Sequence, residues 1–395
     1  MLASAQAVIT DTVSLGAGYA NQVWYSLAND NQGSAPKNNW DIAFDCSTYG
    51  SSILINSVTG TKLWVYPGDS ANWTTLDTTG MAAGWTSNYN SDTSWALGAF
   101  SQGASSQFDL GWGIYNPVTH YVDGDSLYVL KLANNSFRKI RIIQLANGSF
   151  TFRYAMLDNS GDQTVQLMKS NYAGKNFAYY SLQNSAALDR EPVAANWDLL
   201  FTQYTAFIPQ PYTVAGVLSN IGVTVADARP VDVNTVSHTS YIFITPMNEI
   251  GYDWKAFVSS AWVIEDSLVY FVQTVAGDIW KMIFTGFGGS SSGNYIFTKQ
   301  LVSAAGLEEN SNPVSMTVYP NPASNGQVNI LLSAIENTTS VMTITDITGQ
   351  LVHREQVQGQ GLQQIVIGTG TWASGVYFVT VSSGGFSRTQ KLIIR

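Results

Sequence analysis

Four short blocks of residues occur twice in this chain, and both sets run in the same order. The pairs are Tyr19-Ala20 with Tyr172-Ala173, Val23–Leu27 with Phe177–Leu182, Asn39–Phe44 with Asn196–Phe201, and Asp125–Ile142 with Asp266–Phe284. A repeat of this length constrains the fold, because each set is long enough to make one domain. We predict two tandem domains, the first segment (residues 8–157) and the second segment (residues 163–302), each able to fold alone.

Both segments have the sequence pattern of β-strands. Tyr, Trp, Val and Ile alternate with polar residues, and Asn-Gly or Gly-Ser pairs separate the runs. We predict an all-β protein, with two mostly antiparallel β domains followed by a small immunoglobulin-like β-sandwich. The run 286–293 occupies the place of Asn147-Gly148 and predicts a hairpin tip. Linkers are expected near Asp158–Gly161 and at 303–314.

The repeated Trp-Asp block has a physical explanation. In a strand, Trp40, Ile42 and Phe44 share one face, where three large apolar groups would anchor a core. Asp41 and its counterpart Asp198 then point the other way. We expect each carboxylate to bond a neighbouring turn, with a ligand contact as the alternative.

Charge narrows the class of partner. The chain has 18 Lys and Arg against 27 Asp and Glu, a net charge of −9. An acidic protein lacks the basic patch that phosphates require, so we predict neither nucleic-acid partners nor docking on anionic lipid. Cys46 is the single cysteine, which excludes an internal disulfide and is interpreted as a small buried side chain.

The N-terminus and the apolar runs were compared with signal peptides and membrane-spanning segments. Ala5-Gln6-Ala7 fits a small-x-small cleavage site, and residues 1–7 are interpreted as the remnant of a signal peptide, with a disordered start as the alternative. No apolar run approaches the roughly 18 residues of a membrane-spanning helix. We therefore predict no transmembrane segment.

The last part of the chain, residues 315–395, is a module of its own. Val341–Thr345 and Val376–Val381 alternate with period 2, and about seven short strands predict a small sandwich. The blocks Val318–Pro322, Thr345–Leu351, Ser374–Val381 and Lys391–Arg395 resemble, in family order, the type A C-terminal sorting domain of the Bacteroidetes type IX secretion system.

That resemblance implies export across the outer membrane, contact with the type IX machinery, and release or anchoring at the cell surface. It implies a role in the sorting signal for eight residues: Pro320, Asn321, Pro322, Gly349, Gly375, Tyr377, Lys391 and Arg395. The expected location is therefore secreted or on the outer cell surface. Whether the tail is cleaved stays open.

The two segments resemble a second family. Their Trp-Asp blocks, the middle Trp112 and Trp254, and the late strand pair from Ser267 to Met282 are similar to the HmuY-like haem-binding surface proteins of Bacteroidetes. The resemblance implies a mostly β fold that holds haem between two axial side chains.

Donors for haem iron are few, since His or Met normally provides them. His353 lies in the tail, and the alignment places Trp262 opposite His120. The positions that match the family's ligands, near Pro117 and Ser259, are not donors. The candidate haem ligands are therefore His120, His238 and Met247, and the alternative is an ordinary hydrogen-bonded His or a core Met.

Motifs for catalysis are missing from the sequence. No H-E-x-x-H or C-x-x-C occurs. We predict a non-enzymatic binding or structural protein. The alternatives are haem capture and a carbohydrate-binding or carbohydrate-active protein with exposed Trp residues or a distant carboxylate pair. The repeated domains also allow self-association or surface anchoring.

Overall fold

The computed structural model describes residues 7–304, 314–324, 326–383 and 386–395. The chain divides into two compact units, residues 1–305 and 306–395. The predicted signal remnant, apart from residue 7, and the linker 303–314, apart from its two ends, lie outside the described residues.

The all-β prediction is confirmed. Within the described residues, α-helix is limited to two four-residue turns, α1 (Met81–Gly84) and α2 (Gly289–Ser292). Short 3-10 helices are Ala17–Tyr19, Ser57–Thr59, Ser70–Thr74, Ala99–Ser101, Lys169–Tyr172, Ala194–Asn196 and His238–Ser240. The strands of the first segment are β1 (Ile9–Ser14), β2 (Asn21–Ser26), β3 (Asp30–Pro36), β4 (Ile42–Asp45), β5 (Ile53–Ile55), β6 (Lys62–Val65), β7 (Ser87–Asn88), β8 (Gly113–Tyr115), β9 (Val122–Gly124), β10 (Tyr128–Lys131), β11 (Phe137–Ala146) and β12 (Ser149–Ala155).

The second segment repeats much of this order. Its strands are β13 (Gln163–Met168), β14 (Phe177–Ser181), β15 (Ala186–Leu188), β16 (Leu199–Ile208), β17 (Gln210–Ser219), β18 (Thr224–Ala228), β19 (Lys255–Val258), β20 (Ala261–Ile264), β21 (Val269–Gln273), β22 (Ile279–Phe287) and β23 (Asn294–Ser303). The run 286–293 contains α2 and joins β22 to its antiparallel neighbour β23, so the predicted hairpin tip is confirmed.

Residues 7–304 form two lobes. In lobe 1, an inner sheet of order β15-β14-β4-β5 packs on an outer sheet that contains β13-β12-β11-β10-β6-β7 and the β8–β9 hairpin. In lobe 2, an inner sheet of order β17-β16-β2-β3 packs on the outer sheet β1-β23-β22-β21-β18. The two inner sheets face each other, and Ser57 Oγ lies 2.7 Å from Thr205 Oγ1 across the gap.

The two segments are intertwined, which differs from the expectation that each folds alone. Strands β1, β2 and β3 belong to the first segment but pair in lobe 2, and β13, β14 and β15 of the second segment pair in lobe 1. Asp158–Gly161, expected as a linker, is the turn between the paired strands β12 and β13. Each lobe is therefore completed by the first three strands of the other segment.

Burial explains why the inner strands read as almost continuous apolar runs. All residues of β4, β5 and β14 are buried, because each inner sheet packs on an outer sheet on one side and on the other inner sheet on the other side. Between the inner sheets, Trp95 packs against buried residues of both. The Arg190 guanidinium lies over the rings of Trp24, Trp40 and Tyr179 at 5.4, 5.8 and 4.8 Å.

The Trp-Asp blocks are partly as predicted. Ile42 and Phe44 enter the core of lobe 1, but Trp40 packs with Ala43 towards the inner-sheet interface. The predicted shared face was wrong for Trp40 because the strand begins at Ile42, after a bend at Asp41. The prediction for the carboxylates is confirmed. Asp41 accepts hydrogen bonds from Ser181 and Gln183, and Asp198 accepts one from the Leu27 N–H.

The second unit is a small antiparallel sandwich. Its strands are β24 (Val314–Tyr319), β25 (Gln327–Asp346), β26 (Leu351–Gly368), β27 (Gly375–Ser383) and β28 (Phe386–Ile394). The described residues give five strands where about seven shorter ones were expected. The long β25 pairs with β24 in its first half and with β27 in its second, and its pairing with β26 shifts register between Ala334 and Thr338.

Candidate functional site

One end of lobe 1 carries a pocket of about 420 Å³. It lies between the loop after β4, the β8–β9 hairpin and the β11–β12 turn. Its apolar wall is formed by Phe108, Leu110, Val122 and Leu145. The Phe108 ring stacks on the Tyr115 ring at 6.2 Å, so the pocket has an aromatic side. This size is in the range that binds a small ligand.

The structure places His120 at this pocket. His120 lies in the loop of the β8–β9 hairpin, with a left-handed backbone (φ 60°). Its Nδ1 is 2.6 Å from the Tyr115 hydroxyl, and its own N–H donates to the Asn116 carbonyl at 2.8 Å. These contacts fix the ring orientation. Nε2 has no hydrogen-bond partner among the described residues, so it is available to a ligand.

The loop that follows β4 forms the opposite rim and presents Tyr49, whose residue exposure is 96%. The buried Lys169 donates from Nζ to the carbonyls of Ser47 (2.8 Å) and Gly50 (2.6 Å). Asp45 accepts from the Ser47 N–H at 2.8 Å. A Cβ on Gly50 would lie 2.1 Å from the Asp45 carboxylate, so this close approach requires glycine. The loop is thus held firmly while Tyr49 projects into solvent.

A wider groove of about 800 Å³ adjoins the pocket. Thr48 and Tyr49 line both, so Tyr49 stands on the ridge between them. The far side of the groove is formed by Trp95, Ile221 and Met247, and its polar lining consists mainly of hydroxyl and amide side chains.

In lobe 2, aromatic rings pack together at the place that corresponds to the pocket. In the β8–β9 hairpin Tyr115 pairs with Val122, and in the β19–β20 hairpin Phe257 pairs with Trp262. The Trp262 ring contacts Phe287 at 4.9 Å and Phe257 at 5.1 Å. A Cβ on Gly289 would lie 2.5 Å from Trp262 Nε1, so a glycine there admits the indole.

The strand register corrects the alignment of the two segments. Phe287 follows a bulge in β22, and Leu145 follows the corresponding bulge in β11. In the two hairpins, Trp262 therefore corresponds to Val122 and not to His120. His120 belongs to a loop that is longer in the first segment, 116–121, than the 259–260 turn of the second. Val122 and Leu145 in place of two aromatic rings leave the pocket of lobe 1 open.

The three predicted haem-ligand residues are not brought to one site. His238 lies in a 3-10 helix of lobe 2, its ring 6.0 Å from Phe271, outside the pockets described above. Met247 is buried in the inner-sheet core and lines the groove. Of the three, His120 lines the 420 Å³ pocket.

Sequence reasoning missed Tyr49, Phe108, Tyr115 and Lys169. For Tyr49, Phe108 and Tyr115, the signal would have been the difference between the two segments, because loops that are long in one copy and short in the other mark where the copies diverged. Lys169 could not be found in that way, since it comes from the second segment and reaches lobe 1 only through the strand exchange.

Burial shifts the pKa values of two ionisable groups near the pocket. Burial lowers the pKa of Lys169, whose ammonium nonetheless bonds two carbonyls. Burial raises the pKa of the Cys46 thiol to about 12, so the thiol stays protonated at neutral pH. Within the described ranges, no group of three or more His, Cys, Asp or Glu is placed to hold a metal ion.

Several residues that were predicted to belong to the sorting signal connect the two ends of the second unit. Asn321 donates from Nδ2 to the Lys391 carbonyl (2.6 Å) and accepts from the Ile393 N–H (2.9 Å). The Arg395 N–H donates to the Ala323 carbonyl at 2.9 Å. The segment with Pro320 and Pro322 therefore lies against the last strand, and the start and end of the module form one edge.

Two further residues of the predicted signal stabilise turns. Gly349 has φ 84° in the turn between β25 and β26, where the Asp346 carboxylate accepts from the Thr348 and Gln350 N–H groups. The Tyr377 hydroxyl donates to the Ala373 carbonyl at 2.8 Å and pins the turn that precedes Gly375 and β27.

Comparison with known proteins identifies one family, which covers the end of the chain. No curated protein matches the chain. Across the described residues, no helix is both long and apolar enough to cross a membrane. Residues 317–395 match the model of the secretion system C-terminal sorting domain, which confirms the tail prediction and shows that the protein is secreted or displayed at the cell surface through the type IX machinery.

Proposed function

We propose that residues 8–302 are the exported cargo and form a non-enzymatic binding protein whose site is the pocket of lobe 1. The observation that carries this proposal is the internal difference between the lobes. Two lobes of similar strand order end in equivalent hairpins. At one end the half-exposed Trp262 ring packs on Phe287, and at the other there is an open pocket of about 420 Å³. A fold gains nothing in stability from leaving such a space open, because empty space forfeits packing contacts.

Binding rather than catalysis is supported by the side chains at the pocket. The charged groups in its wall or loop, Lys169 and Asp45, are buried and bonded to backbone atoms, so they position the loop. The remaining lining is aromatic, aliphatic, hydroxyl and amide in character, with the imidazole of His120. Such a lining suits recognition by shape and hydrogen bonds.

The test is to fill the pocket with the residue that lobe 2 uses. Val122→Trp should lose binding to any ligand that raises the Tm of the wild-type protein. Because Val122 is buried in the core of lobe 1, the variant counts as a test when its circular dichroism spectrum matches that of wild type. A matched control is Val263→Trp, at an exposed position of the β19–β20 hairpin in lobe 2. The proposal fails if every ligand found binds Val122→Trp as tightly as wild type.

Haem capture is a second candidate, and the location of His120 favours it. A neutral imidazole whose Nδ1 is hydrogen-bonded presents Nε2 to iron, as in many metal sites. The fit is partial, because no second His, Met or Cys belongs to the described lining of the pocket, where the other donors are the Tyr49 and Tyr115 phenols. The HmuY-like assignment of residues 8–302 stays a prediction.

Haemin titration separates this candidate from the first. Capture predicts a sharp Soret band in the wild type that His120→Ala removes and His238→Ala retains. The absence of a Soret shift at micromolar haemin would exclude capture and leave the binding proposal intact. Self-association also stays a prediction, which concentration-dependent sedimentation tests.

A further inference from the structure

We propose that the pocket of lobe 1 and the adjoining groove together bind one neutral oligosaccharide, with the Tyr49 ring stacked on a sugar at their junction. This inference rests on the proposed binding function and names its ligand class. It is carried by the loop geometry, the lining chemistry and the combined size of the two cavities.

Tyr49 stands fully exposed on a loop that is held in place by buried contacts. An aromatic side chain that is 96% exposed gains nothing from burial in this fold. The loop around it is nevertheless fixed by four buried or close contacts: two from Lys169, one from Asp45 and the approach at Gly50. A rigid Tyr with two side-chain torsions loses little conformational entropy when it stacks on a ligand, which makes it an effective binding residue.

The described lining of the two cavities offers no free charge to a ligand. The ionised side chains that contribute to it, Asp45 and Lys169, are at most 7% exposed and bonded to backbone groups. A charged ligand group would lose its hydration without gaining an opposite charge, which is unfavourable. Hydroxyl and amide groups such as Thr48, Ser94 and Gln107 can exchange hydrogen bonds with neutral hydroxyls. A sugar offers many hydroxyls of this kind and an apolar ring face for Tyr49.

The pocket and the groove together are larger than a site for one small ligand. A site for one small ligand usually occupies about 300–1,000 Å³. The pocket and the groove together exceed this range, at about 420 and 800 Å³, and they meet at Thr48 and Tyr49. A ligand that uses both must pass over the ridge. A chain of several sugars meets this requirement, with one end in the pocket and the rest along the groove.

The experiment uses the full chain and isothermal titration with defined neutral oligosaccharides: cello-, xylo-, manno- and malto-series of two to six units. At least one series should bind, with affinity rising tenfold or more from two to six units. Tyr49→Ala should weaken the hexasaccharide at least tenfold, and Tyr49→Phe should retain most of it, because stacking requires the ring. Tyr212→Ala is the matched control, since Tyr212 is 66% exposed on β17 of lobe 2 and should have no effect.

The outcomes distinguish the two proposals. If no neutral oligosaccharide binds, or if binding ignores both Tyr49→Ala and Val122→Trp, the inference is overturned. If another ligand such as haemin binds wild type but not Val122→Trp, the proposed function survives without the oligosaccharide. Tighter binding of uronate or sulfated oligosaccharides than of their neutral counterparts would also overturn the inference, because the argument depends on an uncharged lining.

Discussion

Replacing Glu191 by Gln should remove a pH dependence of stability that the wild-type protein carries at neutral pH. Glu191 is 3% exposed and lies beside Arg190 near the junction of the inner sheets. Its Oε1 accepts the N–H groups of Asn176 and Phe177, and its Oε2 accepts the Tyr179 hydroxyl at 2.8 Å. Those bonds favour the carboxylate, but burial outweighs them and raises the pKa to about 7 from 4.5.

The sign and size follow from proton linkage. Between pH 4.5 and 7 the folded chain holds a proton at Glu191 that the unfolded chain has released, so the free energy of unfolding falls as the pH rises. At about 1.4 kcal/mol for each unit of pKa difference, the loss reaches about 3 kcal/mol by pH 8. Gln keeps an acceptor for the two N–H groups and cannot ionise. The variant should therefore match wild type near pH 4.5 and exceed it by up to about 3 kcal/mol at pH 8.

Urea unfolding followed by tryptophan fluorescence from pH 4.5 to 8 measures this difference. Eleven of the twelve tryptophans precede residue 305, so the signal reports mainly on the first unit. Glu265→Gln, at an exposed glutamate, is the control and should shift stability by less than about 0.5 kcal/mol at any pH. Parallel curves for wild type and Glu191→Gln would refute the reasoning. A variant that is less stable than wild type at pH 8 would show that the three hydrogen bonds outweigh burial.

Three further predictions concern the framework. Asp41→Ala should destabilise the first unit by about 2–4 kcal/mol in urea unfolding, because buried donors of Ser181 and Gln183 lose their acceptor. Trp254→Ala should cost about 3–5 kcal/mol, since the ring is buried and stacks on Phe284 at 3.8 Å, whereas Trp262→Ala, at a partly exposed ring, should cost less. When the fragments 8–160 and 161–304 are expressed separately, neither should give a folded monomer. They should assemble when refolded together, as gel filtration and circular dichroism would show. Two folded monomers would contradict the strand exchange.

Local patterns explain what could be predicted. The strands follow from alternation within a few residues, and the tail could be assigned because its blocks lie within eighty residues in fixed order. The turn-bonding role of Asp41 was predictable because a polar group beside buried strand residues needs a partner. The position of Trp40 was not, since a bend of one residue at Asp41 changes which face a side chain occupies.

The site was harder to predict because loops form it. His120 could be proposed as a donor from its residue type, but its pocket depends on Val122 and Leu145 being smaller than Trp262 and Phe287. That comparison needs the strand register, in which the alignment of His120 with Trp262 is displaced. Tyr49 lies in a loop that is longer in the first segment, and the Lys169 contacts that hold this loop come from the second segment.

The exchange of strands explains why neither segment contains the site by itself. In lobe 2 Leu199 of β16 pairs with Tyr25 of β2, and in lobe 1 Phe44 of β4 pairs with Ala178 of β14. Equivalent strands present similar residues, so alternation cannot say which segment supplies the partner. The consequence for function is direct: Lys169, carried into lobe 1 just after β13, holds the loop of Tyr49 in the first segment. Because residues 8–157 alone lack this lysine, the proposed binding pocket requires residues from both segments.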